Sequence, residues 1–314
     1  MNLVSIPANP IPQGAVVGQI QARDGVSLRF ARWQPLPGRK GTVCVFQGRA
    51  EFIEKYFEVV EDLRTRGFAV ATLDWRGQGL SQRARADPRK GHVGNFAEYD
   101  RDLDAFMRQV VLPDCPPPHF ALAHSLGGAI LLRAAHQGLR WFERMVLTAP
   151  MIGLTGRAMS TMARSTARFM RLLGMGGSYV PGGGATAVNS LPFVGNVLTS
   201  DAVRYSRTGA IVDAMPALGL GSPTIAWLDA AYSLMGAFAD PAYPRRLRQP
   251  ALLVAASLDE VVSTTAIEQF AIRMRAGAHV AIAGARHEIL MEQDHFRSQF
   301  WAAFDAFVPG TPSY

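Results

Sequence analysis

The 314-residue sequence has two cysteines, Cys44 and Cys115. Two cysteines make neither a disulfide framework nor a zinc site. Cys44, inside the apolar run Thr42-Val43-Cys44-Val45-Phe46, reads as a small buried hydrophobe. No run of about 18 apolar residues appears, so no membrane-spanning helix is expected. The start, MNLVSIPANPIPQGAV, lacks a basic stretch followed by an apolar one. No signal peptide is expected, and a cytoplasmic location follows as the expectation, with peripheral contact to the inner membrane left open. Internal repeats and long low-complexity tracts are also absent. Lysine and arginine outnumber Asp and Glu by 32 to 25, a net charge of +7. These cations are mostly scattered arginines, with no dense basic run and no basic strand interleaved with aromatics, so nucleic acid is not an expected partner. Acid is locally missing: residues 151–200 contain four arginines and no Asp or Glu.

What is present can fold. Hydrophobic residues make up 48% of the chain and charged residues 18%, enough to bury a sizeable core. Strand-like and helix-like stretches alternate, the pattern of a mostly parallel sheet covered by helices on both faces. A hairpin is expected around Asp24-Gly25. A buried strand (42–48), an amphipathic helix (51–67) and a strand (68–75) follow. A helix (98–111) then meets the stiff Pro116-Pro117-Pro118 linker. Next come a short strand (120–124), a helix (126–138) and a strand (144–150). From about 151 to 240 strand signals stop. They resume with a strand at 250–257, a helix at 263–275, a strand at 279–284 and a last helix to about 308. The expected architecture is α/β, with a core of 1–150 and 241–314 and an inserted, mainly helical cap of 151–240.

Within Ala123-His124-Ser125-Leu126-Gly127 a serine sits between small residues, after a strand and before a helix. This is the setting of a nucleophile elbow, G-x-S-x-G, with Ala123 in place of the first glycine. A serine hydroxyl needs a base, and this architecture supplies an acid and then a histidine later in the chain. Asp259 follows the strand ending near Ala256, and His287 follows the one ending near Gly284. Both would reach the sheet edge that carries Ser125. Glu260 is a competing carboxylate, with Asp259 preferred as the first acid past the strand. The other histidines (His92, His119, His124, His136, His279, His295) read as solvated or as parts of local structure. In the expected chemistry His287 takes the Ser125 proton and Asp259 orients the imidazole. The oxyanion would accept from the backbone N–H groups of Leu126 and Arg49, the latter in Gln47-Gly48-Arg49-Ala50-Glu51. That loop also reads as a plain glycine turn with Glu51 capping the next helix.

The stretches QGRAEFIEKYFEVVEDLRTRGFAVATLDWRGQGLS, AHSLGG, SLDEVVS and GARHEIL resemble the α/β-hydrolase fold. More narrowly, they resemble the bacterial lysophospholipase L2 and monoacylglycerol lipase-like group, also called the serine aminopeptidase S33 group. The resemblance covers nearly the whole chain. It implies hydrolysis of a lipid-like ester, lysophospholipid or monoacylglycerol, without metal or cofactor. It assigns the oxyanion role in the first loop to Arg49, where Gln47 departs from the usual His or Pro. It gives the Asp74–Ser81 loop a structural job at the pocket edge.

Within the cap, residues 157–173 taken as a helix gather Arg157, Arg164, Arg168 and Arg171 on one side. Met159, Met162, Phe169, Met170 and Leu173 gather on the other. The plain reading puts the apolar side on the core and the arginines in water. The sharper reading is a lid that meets an anionic membrane surface. The glycine runs at 174–178 and 181–185 read as a mobile lid segment and lack the spacing of a phosphate loop. Several functional readings stay open: a short-chain carboxylesterase, an aminopeptidase or amidase, an acyltransferase, or a non-catalytic lipid-binding protein on the same fold.

Overall fold

The computed structural model describes residues 2–36, 40–156 and 161–308. Its frame is one sheet of β1 (Val16–Gln21), β2 (Ser27–Trp33), β3 (Thr42–Phe46), β4 (Ala69–Leu73), β5 (His119–His124), β6 (Arg144–Thr148), β7 (Ala251–Ala256) and β8 (Gly277–Ile282). The spatial order is β1-β2-β4-β3-β5-β6-β7-β8. β2 runs antiparallel to β1 and β4, and the remaining neighbours are parallel. The β1–β2 hairpin turns at Gly25, whose φ of 78° suits a residue without a Cβ.

The parallel strands are apolar at almost every position because both faces are covered. Successive side chains point to opposite faces, and the two buried layers follow that alternation. Val43, Val45, Leu122, Val146 and Val254 face one layer with α1 (Phe57–Thr65) and, at the chain end, the Asp294–Phe307 helix. Cys44, Phe46, Ala121, Leu147 and Leu253 face the other, with α2 (Ala97–Phe106) and α3 (Leu126–His136). Both cysteines are free and buried.

Between β6 and β7 the chain forms α4 (Thr161–Leu172), α5 (Ala202–Ala214) and α6 (Ile225–Phe238). Then α7 (Thr264–Ala271) and α8 (Asp294–Phe307) complete the chain. Ion pairs tie this segment to the helices on the sheet: Arg204 and Arg207 of α5 both reach the Glu58 carboxylate of α1, each at 2.5 Å. Arg297 of α8 joins them at 2.7 Å. No helix among the described residues is long and apolar enough to cross a membrane.

Some expectations shift. The helix expected over 51–67 is a 3-10 turn at Ile53–Tyr56 followed by α1. Its first turn is tightened by an Ile53 N–H bond to Asp74 Oδ1 at 3.0 Å and by buried ion pairs of Glu54 and Lys55. The helix expected over 263–275 stops at Ala271, and β8 begins at Gly277, where a Cβ would stand 2.5 Å from the Ala271 carbonyl. Of the amphipathic cap segment, Arg157 and Met159 lie outside the described residues. The rest corrects the plain reading of its sides. α4 buries only Ala167. Met162, Phe169, Leu172 and Leu173 are between 60% and 78% exposed. Arg171, expected in water, bonds Asp229 of α6 at 2.7 Å. The side that packs is the narrow one carrying Ala163 and Ala167, which lets α4 sit close to α6.

Candidate active site

Ser125 occupies the turn between β5 and α3 with φ 47° and ψ −108°. A non-glycine residue there is strained by about 1–3 kcal/mol, and such strain persists only where neighbours fix it. The neighbours are visible. Ser125 N–H donates to Thr148 O at 3.0 Å, and the Ser125 carbonyl accepts from Met151 N at 3.0 Å. Gly127 lets α3 approach the end of β3, since a Cβ there would stand 2.5 Å from the Phe46 carbonyl. The Ala123 position is fully packed at 1% exposure, so the small side chain is accommodated.

His287 Nε2 lies 3.2 Å from Ser125 Oγ, and its Nδ1 lies 2.8 Å from Asp259 Oδ2. The other Asp259 oxygen accepts the N–H groups of Val261 at 2.8 Å and Val262 at 2.9 Å. Burial opposes ionisation of this carboxyl, but the His287 hydrogen bond and charge and the two backbone donors outweigh it and hold it below its ordinary value. Glu260, the rival carboxylate, makes no bond to His287; its backbone carbonyl accepts from Thr155 Oγ1. Ser125, Asp259 and His287 thus form one hydrogen-bonded chain at the carboxyl ends of three strands.

The loop after β3 is braced from beneath. Trp75 Nε1 donates to Gln47 O at 3.1 Å, and Gln47 Nε2 donates to Thr72 Oγ1 at 2.8 Å. Gln78 spans the loop: its Nε2 donates to Gly48 O at 2.9 Å and its Oε1 accepts from Ala50 N at 3.1 Å. The Asp74–Ser81 loop is itself pinned by Asp74, which bonds Arg29 at 2.7 Å and accepts Leu80 N at 2.8 Å. A Cβ on Gly79 would stand 2.0 Å from the Asp74 carboxyl carbon, so only glycine fits. The backbone N–H groups of Arg49 and Leu126 have no acceptor among the described residues.

Four polar side chains, Glu51, Lys55, His124 and Glu288, have places at the site that the sequence reading did not give them. Glu51 does not cap the helix. It accepts the Gly48 N–H and the Tyr56 hydroxyl, the latter at 2.8 Å. It also meets Lys55 Nζ at 2.7 Å, and Lys55 meets Glu288 Oε1 at 2.7 Å. Burial would raise the Glu51 carboxyl, but Lys55, His124 and Tyr56 bring it down to about 2. His124 packs its ring 4.8 Å from that of His287, centroid to centroid. Burial, reinforced by His287 and opposed by Glu51, lowers its pKa to about 4, so it is neutral at pH 7. The i,i+4 spacing of Glu51 and Lys55 was the available signal; nothing local announced Glu288 or His124.

These groups open into a cavity of about 320 Å³ that reaches Ser125 and His287. Its walls are mostly apolar, with Met151, Leu154, Val262 and the α6 residues Trp227, Leu228 and Met235. A larger, more open cavity of about 640 Å³ lies elsewhere, between α4 and α6, and does not touch Ser125. The size and lining of the smaller one suit an extended apolar ligand with one reactive polar bond.

Known proteins share this arrangement of chain. The family model described as serine aminopeptidase, S33, matches residues 37–294. The lysophospholipase L2 of Escherichia coli (strain K12) is 35% identical over 289 residues, covering 88% of this chain and 82% of that protein. The probable lysophospholipase L2 of Haemophilus influenzae is 27% identical over 275 residues, covering 88% and 86%. Among solved structures, a soluble variant of the Saccharomyces cerevisiae monoglyceride lipase in complex with a substrate analog superposes with a TM-score of 0.73, at 18% identity, covering 95% of this chain and 97% of that one. The chain belongs to the serine aminopeptidase S33 family and is an ester-hydrolysing enzyme of the α/β-hydrolase fold.

Proposed function

We propose that the enzyme cleaves the carboxylic ester of lysophospholipids or monoacylglycerols, with Ser125 as nucleophile, His287 as base and then acid, and Asp259 as the group that orients it. The observation that carries this is the Ser125–His287–Asp259 chain, at 3.2 and 2.8 Å, opening into an apolar cavity. The likeness to the two lysophospholipase L2 proteins supports the lipid substrate class.

The geometry supports the following proposed steps. Ser125 Oγ bonds to the ester carbonyl carbon while its proton passes to His287 Nε2. The imidazolium that forms is stabilised by ionised Asp259. The carbonyl oxygen becomes an oxyanion, and the N–H groups of Arg49 and Leu126 are the donors proposed for it. Collapse breaks the carbon–oxygen bond to the glycerol part, and His287 returns the proton to that leaving alcohol. A water then repeats the sequence on the acyl-serine, releasing the fatty acid and restoring Ser125.

The cap reading forms part of this proposal. Met151, Leu154, Pro223, Trp227 and Met235, from the segment between β6 and β7, line the cavity, and the outward ridge of Met162, Phe169, Leu172 and Leu173 on and beside α4 lies next to Arg168. An exposed apolar ridge flanked by cations is the build of a surface that dips into an anionic membrane.

The test is hydrolysis of p-nitrophenyl esters from acetate to palmitate, wild type beside Ser125→Ala, then of lysophosphatidylcholine and monoacylglycerol. Activity lost in the variant and rising with chain length is expected. Variant-sensitive activity confined to short esters would move the function to a short-chain carboxylesterase. No ester cleavage at all would turn attention to amides or to non-catalytic binding.

A further inference from the structure

The oxyanion role proposed for residue 49 needs only its backbone amide, which any residue provides. Here the residue is arginine, one of the residues lining the cavity beside Ser125, and its guanidinium lies over Trp227, another of them. Moving a guanidinium out of water is costly unless an anion answers it. None does. The ion pairs of the described residues include no carboxylate at Arg49. One N–H, on Nη2, donates to the Gly221 carbonyl at 2.6 Å. The guanidinium carbon stands 5.3 Å from the centroid of the Trp227 ring, held against its π face. Buried Nε has no acceptor. Burial brings the pKa down to about 10, with only the phenols of Tyr99 and Tyr179 acting against it, so the group is still a cation at neutral pH.

The cavity's other cation is already answered. Lys55 is shared by Glu51 and Glu288 at 2.7 Å each, so that end carries an excess of negative charge and would repel an anionic ligand. Arg49 is therefore the uncompensated charge of the site, preset in orientation by Gly221 and Trp227 of the cap and one residue from Gly48 on the proposed oxyanion loop.

We infer that the Arg49 side chain is an anion subsite that takes the phosphate of a lysophospholipid while its ester carbonyl sits at Ser125. This rests on the lipid-ester reading above and refines it toward phosphate-bearing substrates over monoacylglycerols. A lysophospholipid carries its phosphate one glycerol length from the scissile ester, and an arginine side chain has a comparable reach from its own backbone amide. The planar guanidinium offers paired N–H groups to two phosphate oxygens, which a hydroxyl of monoacylglycerol cannot match. The subsite forms no covalent bond, and the phosphate leaves with the glycerol part.

The readout is the ratio of kcat/KM on lysophosphatidylcholine to that on monoacylglycerol of the same acyl chain, both in neutral detergent micelles. A loss common to both substrates, from disturbance of the loop, cancels in that ratio. Arg49→Gln is expected to lower the ratio about 10–100-fold, the scale of a lost charge-assisted hydrogen bond, and Arg49→Lys to restore part of it. A ratio unchanged within about threefold in Arg49→Gln would overturn the inference and leave the side chain as a strut between loop and cap. A second measurement needs no variant: with wild type and p-nitrophenyl butyrate, glycerol 3-phosphate should inhibit competitively at concentrations at least about tenfold below those needed for glycerol. Equal inhibition by the two would overturn it as well. Wild type that cleaves p-nitrophenyl butyrate and binds glycerol 3-phosphate selectively, yet cleaves neither lipid, would sink the lipid-ester reading and retain the anion subsite.

Discussion

Asp259 divides its two carboxylate oxygens between functions: Oδ2 holds His287 Nδ1 at 2.8 Å, while Oδ1 takes the backbone N–H groups of Val261 and Val262. The second pair fixes the direction of the first. An asparagine could keep the backbone bonds yet present an N–H to His287 and force the wrong tautomer. Asp259→Asn is therefore expected to lower kcat about 10⁴-fold with the fold intact, as when the buried acid of such a triad becomes an amide. Glu260→Gln should stay within about threefold of wild type, since this side chain makes no bond to His287. Hydrolysis of a p-nitrophenyl ester by both variants checks the pair, and an equal loss in the two would reassign the acid.

Gln78 carries a prediction about positioning. It grips Gly48 O and Ala50 N at once, so it clamps both neighbours of Arg49. Gln78→Leu keeps the volume and removes both bonds. The Arg49 amide would then drift from its place, and a displaced oxyanion donor costs transition-state stabilisation more than ground-state binding. The expected result is a fall in kcat of about 10–100-fold with KM changed little. A fall in KM-related binding alone would place Gln78 outside this role.

The three residues of the hydrogen-bonded chain were legible because each follows a strand end with its own local pattern, in an order set by the fold. The parallel sheet was legible for a related reason: strands buried on both faces are written as short, unbroken apolar runs such as Val43-Cys44-Val45-Phe46 within β3. The Glu51–Lys55–Glu288 group was not, because Glu288 lies 233 residues beyond Lys55 and meets it only once the sheet is assembled. The side chain of Arg49 escaped attention for the opposite reason. The backbone role proposed for it absorbed the position, and only the packing of Trp227 and Gly221 shows where the guanidinium goes. The amphipathic pattern of α4 had two sides but no sign of which faced inward. The packing side is a stripe of alanines too weakly hydrophobic to stand out against Met162, Phe169 and Leu173.

The cap anchor has a pH signature. Burial raises the Glu58 carboxyl, but Arg204, Arg207 and Arg297 outweigh it and lower the pKa from 4.5 to about 2. A carboxyl lowered in the folded state contributes stability that is fully present above its unfolded pKa and is lost as pH falls through the folded one. The window is thus from 4.5 down to about 2. Thermal melts of wild type and Glu58→Gln should differ by a constant amount above that window, and the difference should shrink within it as the pH is lowered. A difference that does not vary with pH in this range would mean that the ion cluster does not hold the cap through the charge of Glu58. Salt should narrow the same gap at neutral pH, because the cluster is partly exposed.

The proposed membrane contact rests on side chains that point away from the protein. Phe169 and Leu172 are 61% and 77% exposed, and moving each into a lipid interface would favour binding by about 1.5–3 kcal/mol. Phe169→Ser combined with Leu172→Ser is expected to weaken partition onto phosphatidylglycerol-containing vesicles by at least about 100-fold. Neither residue lines the cavity at Ser125, so turnover of a soluble p-nitrophenyl ester should hold within about threefold. Arg168→Gln acts on the other component: it should cost about 1 kcal/mol on anionic vesicles and nothing on neutral ones, and it should flatten the salt dependence. Wild type that binds neutral and anionic vesicles equally at low salt would remove the electrostatic part of the proposal. Retention of vesicle binding by the double serine variant would remove the apolar part and return the ridge to an ordinary exposed surface.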